Sequence, residues 1–368
     1  MPGGGALRSD VGTAPWSTPG ASVEPALDEL RAEIDAALDR FLTDQARNAP
    51  DECIPPLVEV VRDFLAGGKR LRPLFAVCGW AAGGGEPDDP AAVRIAASLE
   101  LFHAFALIHD DVMDSSDTRR GQPAVHRVLA RRASEGDAAH FGLSAAILLG
   151  DLCLVWSDEL LHGSGIEPDR LHAARSVLNA MRTEIMAGQY LDLDPAAAGD
   201  EFEGAWRVVR QKTAAYTVTR PLQLGALLAG AQRDVVAGCA DFGDPLGEAF
   251  QLRDDLLGVF GSEATTGKPG DDDLRAGKRT VLMRLTWQRA DADQRAVIRN
   301  LHGSADLSSD QAQQLREIIR STEADSEVES MISRRHERAV RALQALAPPA
   351  RAAAMLTELA GRSAHRTR

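Results

Sequence analysis

Lysine is nearly absent from this chain: of 41 basic residues only Lys69, Lys212, Lys268 and Lys278 are lysine. All four sit beside Gly or Thr, in GGKRLRP, QKT, TGKP and AGKRT. A compact point charge on a flexible stem in such settings suits phosphate. Cysteine is scarce too. Cys53, Cys78, Cys153 and Cys239 show no CxxC or other metal-ligand spacing, which argues against a disulfide framework and for core thiols in a reducing compartment. Aromatic residues make up 5% and alternating β-branched runs bounded by hairpin turns are missing, so an all-α bundle is favoured over α/β. No apolar run reaches the ~18 residues of a membrane span, since the longest, from Leu143 to Gly150, stops at Asp151. A charged-then-apolar leader pattern is also absent, so no transmembrane segment and a cytoplasmic location are expected. The net charge of −13 disfavours nucleic acid and anionic membrane as partners, and an anionic substrate must meet a local cationic pocket.

Apolar material is plentiful, at 44% hydrophobic against 26% charged residues, enough for a large core. Residues 1–25 are rich in Gly, Pro, Ser and Thr without apolar periodicity and are expected to form a disordered tail. From Ala26 the pattern changes. Leu27, Leu30, Ile34, Leu38 and Leu42 make one stripe of an amphipathic helix. Similar spacing predicts helices near 57–66, 71–82, 90–114, 139–163, 168–190, 203–232, 236–260, 279–301, 309–321 and 326–346. Breaks fall at GGGEPDDP, GSGIEP, LDPAAAGD and TTGKPGDDD. No later linker is long enough to separate two domains, so residues 26–368 are expected to form one helical domain.

The densest chemistry lies in LFHAFALIHDDVMDSSDTRRG. Asp110 and Asp114 are four apart, on one helical face and ~6 Å apart along the axis. They repel unless a cation sits between them, and hard oxygen ligands of this kind suit Mg²⁺ completed by water and phosphate. Asp111 lies off that face, where it orients its neighbours, and counts as a further candidate metal contact. His103 precedes Asp110 by seven residues on the same stripe. Arg119 and Arg120 follow directly, as a bidentate clamp for diphosphate.

FQLRDDLLGVFGSEATTGKPGDDDLRAGKRT repeats this logic. Gln251, Asp254 and Asp255 fall at i, i+3 and i+4 on one face, and Lys268 and Lys278 follow in Gly-bearing loops. A third patch runs from Gly67 to Pro73, where glycines let backbone approach an anion and Lys69 and Arg72 are one turn apart. It resembles no Walker A loop, and a dinucleotide-binding pattern is missing.

With these motifs in this order the chain resembles the trans-prenyl diphosphate synthases (polyprenyl synthetases), and among them the bacterial geranylgeranyl diphosphate synthases, over about residues 26–350. The likeness rests on GGKRLRP, HDDVMD with RRG, Gly188-Gln189, Lys212-Thr213, FQLRDD and the two later lysines. It implies an antiparallel helix bundle around a deep central cavity, the isoprenoid synthase fold, and usually a homodimer. It implies that Lys69, Arg72, His103 and Arg120 hold isopentenyl diphosphate. Arg119, Lys212, Thr213, Gln251, Lys268 and Lys278 would hold the allylic diphosphate, and Asp110, Asp114 and Asp254 would ligate three Mg²⁺. The second motif departs from the common DDxxD, because Gly258 stands in its last position.

The resemblance implies Mg²⁺-assisted loss of the allylic diphosphate, with help from Lys212 and Lys268, followed by attack of the isopentenyl double bond. Chain length would depend on bulk below Asp110. Phe105 lies five residues before it, ~7.5 Å down the axis, and in the family an aromatic there goes with a C20 product. Ala106 is nearer the Asp110 face on a helical wheel, which leaves C15 open. A class I terpene cyclase and a catalytically silent regulatory subunit are the rival readings. The cyclase needs no second diphosphate site, and the silent subunit typically loses an aspartate motif.

Overall fold

In the computed structural model, residues 23–133, 135–194, 199, 201–261 and 271–365 are described. Residues 1–22 of the expected tail and Lys268 lie outside them. The described residues form sixteen α-helices, in order: α1 Glu24–Arg47, α2 Ile54–Leu65, α3 Leu71–Ala82, α4 Pro90–Met113, α5 Val125–Ala130, α6 Ala138–His162, α7 Pro168–Leu193, α8 Glu201–Val208, α9 Arg220–Ala229, α10 Arg233–Phe260, α11 Asp272–Arg275, α12 Val281–Arg289, α13 Ala292–Leu301, α14 Ser309–Ser321, α15 Ala324–Leu346 and α16 Ala350–His365. Between α8 and α9 the chain forms a π-helix, Val209–Thr219. The only strands among the described residues are β1 (Thr118–Arg119) and β2 (Gln122–Pro123), an antiparallel hairpin. The all-α class predicted from sequence is the class observed.

The helix boundaries follow local chemistry. The stripe from Leu27 to Leu42 is buried along α1, and α4 opens on Pro90 with Asp89 accepting from the Ala91 N–H. The predicted 279–301 helix is two helices, because Asp291 and Gln294 form a capping box that starts α13. The predicted 203–232 helix is interrupted by the π-helix.

Helix α4 is the central rod, with Phe102, Leu101 and Ile108 fully buried. It packs on α1, α3 and, antiparallel, on α6, where the Ser157 hydroxyl donates to Ser98 O at 2.8 Å. Helices α3 and α9 touch backbone to backbone, since a Cβ at Gly79 would lie 2.0 Å from Leu222 O and one at Gly225 1.9 Å from Ala76 O. A second core gathers α8, the lower part of α10 and α12–α15 around Leu252, Leu282 and Leu315. Helix α7 packs more closely on the π-helix and α9 than on α4 and α6. Both α4 and α6 are long and apolar enough to span a membrane by length and composition. An uninterrupted-run criterion misses α6 because Asp151, Asp158 and Glu159 break its apolar stretch. Helix α4 is mostly buried, whereas α6 leaves Phe141, Leu148 and Val155 exposed.

The π-helix is the feature that positions the site. Its wider turn needs neighbours without side chains, and three glycines supply them. A Cβ at Gly188 of α7 would lie 2.4 Å from Lys212 N, one at Gly247 of α10 2.6 Å from Ala214 Cα, and one at Gly243 2.8 Å from Thr219 Cα. Such segments recur at functional sites. Because the Gly188 contact is with backbone, Gly188→Ala is expected to destabilise the chain by about 1–3 kcal/mol, read as a lower urea midpoint. Gly361→Ala, with open space around its Cβ, is the control and should stabilise by at most ~1 kcal/mol. Equal midpoints for the two variants would contradict the clamp.

Candidate active site

The first acidic cluster stands at the C-terminal end of α4, on the side facing α7. Asp110 is recessed, and two cations reach it: Arg119 Nη2 donates to Oδ2 at 3.0 Å, and Lys212 Nζ lies 3.1 Å from Oδ1. Burial alone would raise the Asp110 pKa, but Lys212 and Arg119 hold it below the usual range. Asp114 is shifted the other way. Partial burial and the neighbouring Asp110 charge push its pKa up. Asp111 is fully buried, and Arg119 Nε donates to it at 2.9 Å. One residue along a helix is a turn of ~100°, so this carboxylate faces away from the Asp110–Asp114 stripe and anchors the guanidinium instead.

Lys212 projects from the π-helix across to α7, where it also donates to Asp192 Oδ2 at 2.7 Å. Asp192 was not among the sequence-predicted residues. Thr213 is the next residue on the same segment, half-buried. The hairpin carrying Arg119 and Arg120 turns through Arg120 and Gly121, both at positive φ, as two-residue hairpins require. This turn sets the two guanidinium groups on different sides: Arg119 on the acids, Arg120 toward the Gly67–Pro73 loop.

In that loop the Arg70 guanidinium is buried, donating to Asp35 at 2.7 Å and to buried Glu100 at 2.8 Å. Arg120 lies alongside, so a Cβ at Gly68 would come within 3.1 Å of Arg120 Nη1 and 3.2 Å of Arg70 Nη1. Arg72 leans over the Tyr216 ring, 4.2 Å from its centroid, and donates to Thr217 Oγ1 at 2.8 Å. His103 links the two residues, with Nε2 3.1 Å from Arg72 Nη1 and Nδ1 2.9 Å from Tyr216 Oη. A guanidinium only donates, so Nε2 accepts and the proton sits on Nδ1, donating to Tyr216. Burial and the surrounding arginines keep His103 neutral by lowering its pKa well below the ordinary value. In this arrangement His103 orients Arg72. Lys69 is exposed at the mouth of the loop.

The second cluster lies on α10. Gln251 Nε2 donates to Asp255 Oδ1 at 2.7 Å, while Asp255 Oδ2 is buried without a partner among the described residues. Burial, opposed by the Gln251 bond and reinforced by Asp273 and Asp254, pushes Asp255 up to about 7. Asp254, one residue earlier and so ~100° around the helix, is half-buried. The space that a side chain at Gly258 would fill is taken by Asp273, whose Oδ2 lies 1.9 Å from the position of such a Cβ. Lys278 Nζ lies 2.5 Å from Asp273 Oδ1. A carboxylate from the segment before Lys278 therefore occupies the place where a side chain at position 258 would begin. Its sequence signal is the DDD run five residues ahead of that lysine.

No three metal-ligating side chains converge at one point among the described residues. Carboxylates split into two sets, with Asp110 Oδ1 facing Lys212 and Asp255 Oδ2 lacking a hydrogen-bond partner among the described residues, fit an ion held by one or two protein oxygens and completed by phosphate and water. That is the habit of Mg²⁺. Below the first cluster, Phe105 is buried, its ring 5.4 Å from Phe102 and 4.9 Å from His109, while Ala106 is half-buried.

Residues 54–319 match the profile of the family described as Polyprenyl synthetase. The chain is 34% identical over 241 residues to the short chain isoprenyl diphosphate synthase of Methanothermobacter thermautotrophicus, covering 66% of this chain and 70% of that one. It is 33% identical over 260 residues to the geranylgeranyl diphosphate synthase of Saccharolobus solfataricus, covering 70% and 74%. The structure of geranylgeranyl pyrophosphate synthase from Corynebacterium glutamicum, complexed with isoprenyl diphosphate and magnesium, superimposes with a TM-score of 0.87 at 41% identity, covering 92% of this chain and 99% of that one.

The Gly258 arrangement makes a counterintuitive prediction. Rebuilding the motif with Gly258→Asp should push Asp273 off its place beside Lys278 and weaken binding of Mg²⁺ with inorganic diphosphate by about 10-fold or more, measured by calorimetry. Tighter binding in the variant would contradict the assignment.

Proposed function

This chain belongs to the polyprenyl synthetase family, and on that premise we propose that it joins isopentenyl diphosphate head to tail with an allylic diphosphate and stops at geranylgeranyl diphosphate, C20. The carrying observation is that Asp110 stands between two separate cationic groups. Arg70, Arg72 and Arg120 lie on one side, braced by Glu100, His103 and Thr217. Lys212 lies on the other, braced by Asp192. Two diphosphates need two such groups, whereas a cyclase needs one.

In this reading isopentenyl diphosphate is held by Lys69, Arg72 and Arg120, with His103 orienting Arg72. The allylic diphosphate is held by Arg119, Lys212, Thr213, Gln251, Lys268 and Lys278. Asp110, Asp114 and Asp254 would hold three Mg²⁺, with Asp273 in support. Bound there, Mg²⁺ would neutralise the allylic diphosphate and make it a leaving group. Lys212 exchanges Asp110 for a diphosphate oxygen, and Arg119 stays aimed because buried Asp111 fixes it. As the allylic C–O bond breaks, the isopentenyl double bond supplies the electron pair for the new C–C bond. The proton then lost goes to the released diphosphate, so no side-chain nucleophile is required.

The reading treats residues 26–368 as one catalytic unit in the cytoplasm. It also includes a homodimer, supported by the stripe Phe141, Leu148 and Val155, seven residues apart on one face of α6 and exposed. Purified chain given isopentenyl diphosphate, Mg²⁺ and each allylic primer should yield C20 product and none after chelation. Asp110→Asn should lower turnover at least ~100-fold, and Phe105→Ala should lengthen the product. Hydrocarbon released from a single prenyl diphosphate, without need for isopentenyl diphosphate, would refute the reading in favour of a cyclase.

A further inference from the structure

We propose that the Arg182–Asp158 ion pair is a second floor beneath Phe105, and that the cleft beside it receives the prenyl tail once the pair is removed. The proposal rests on the synthase reading above. It begins from a charge in an apolar place. Arg182 of α7 bonds to Asp158 of α6, where the two helices do not pack closely. Among the described residues its Nε is buried without a hydrogen-bond partner, and its guanidinium carbon lies 5.9 Å from the centroid of the Phe102 ring.

The depth fits a floor. Arg182 is ten residues before Asp192 on α7, and Phe102 is eight before Asp110 on α4. At ~1.5 Å rise per residue these lie ~15 Å and ~12 Å below the diphosphate end. Phe105, Phe102 and Arg182 therefore form a descending series along the channel wall. Beside the pair is a cleft of about 370 Å³, partly open to solvent. Arg182 and Asp158 line it on one side, Leu161, Leu171, Leu178 and Leu224 supply apolar walls, and exposed His162, His172, Arg175 and Asn179 rim it.

An ion pair standing between the Phe102 ring and this cleft has a plain effect on a hydrocarbon. A growing tail cannot pass without separating the charges, and the Arg182 side chain, the more buried of the two at 21% exposure against 38% for Asp158, would then lose the carboxylate that holds it across the path. Removing Phe105 alone therefore lengthens the product only as far as Arg182. Removing the pair joins the channel to the cleft.

The test uses the full-length enzyme with farnesyl diphosphate, excess isopentenyl diphosphate and Mg²⁺, and sizes the products. Arg182→Met combined with Phe105→Ala should give products at least one five-carbon unit longer than Phe105→Ala alone, with the first condensation rate unchanged. Adding Leu178→Trp, which fills the cleft, should return the length to that of Phe105→Ala. Equal lengths with and without Arg182→Met overturn the floor. Longer products that Leu178→Trp does not shorten overturn the assignment of the cleft. If Arg182→Met does not fold, Asp158→Ala, whose carboxylate lies at the more exposed end of the pair, carries the same expectations. Absence of any isopentenyl-dependent product from the wild type would instead refute the synthase reading, and the floor with it.

Discussion

Lys212 is the contact on which the site depends. From the π-helix it reaches Asp110 on α4 and Asp192 on α7, two helices that otherwise pack loosely on each other. A regular helix through 209–219 would rotate that lysine elsewhere, and the wider turn exists because Gly188, Gly243 and Gly247 let three backbones meet. The carboxylates around it divide by whether a cation attends them. Asp110 has Arg119 and Lys212, and its pKa is held low despite burial. Asp114 and Asp255 have no ion pair to a cation among the described residues, and burial pushes both up, Asp255 to about 7. The free protein thus carries acidic groups in mutual repulsion that a divalent cation with diphosphate relieves.

On the other side of Asp110 the problem is inverted. Arg70, Arg72 and Arg120 crowd together in a chain of net charge −13, and their repulsion is met by Glu100 and Asp35 from below. Burial and those arginines keep His103 neutral, so it accepts from Arg72 and adds no further positive charge. Left-handed backbone at Arg70 and Arg120 aims these side chains inward. The local cationic pocket demanded by the overall acidity is built from arginines that the glycines of the 67–68 turn allow to approach.

Much of this was legible in the sequence. The α1 stripe, the acid faces of α4 and α10 and the phosphate-type lysines all depend on local spacing, which sequence shows directly. What escaped notice depends on distant approach. Asp192 and Tyr216 matter through residues far away in sequence, and neither has a repeat or motif of its own. The π-helix is invisible to a search for 3.6-residue periodicity, because its period is different and its cause lies in glycines of other helices. Gly258 departs from the common motif, and its vacant Cβ position is what admits Asp273. Helix α16 was not among the predicted helices although Met355, Leu356 and Leu359 bury one face of it. Its many alanines dilute the apolar contrast.

Throughout the site, protein cations hold the two acidic clusters in readiness, and neither cluster is a metal cage by itself. Titration calorimetry of Mg²⁺ into the full chain, with and without inorganic diphosphate, tests this most directly. Weak binding of Mg²⁺ alone and tight binding when diphosphate is present is the predicted result. Tight, stoichiometric binding of Mg²⁺ without diphosphate would contradict the account.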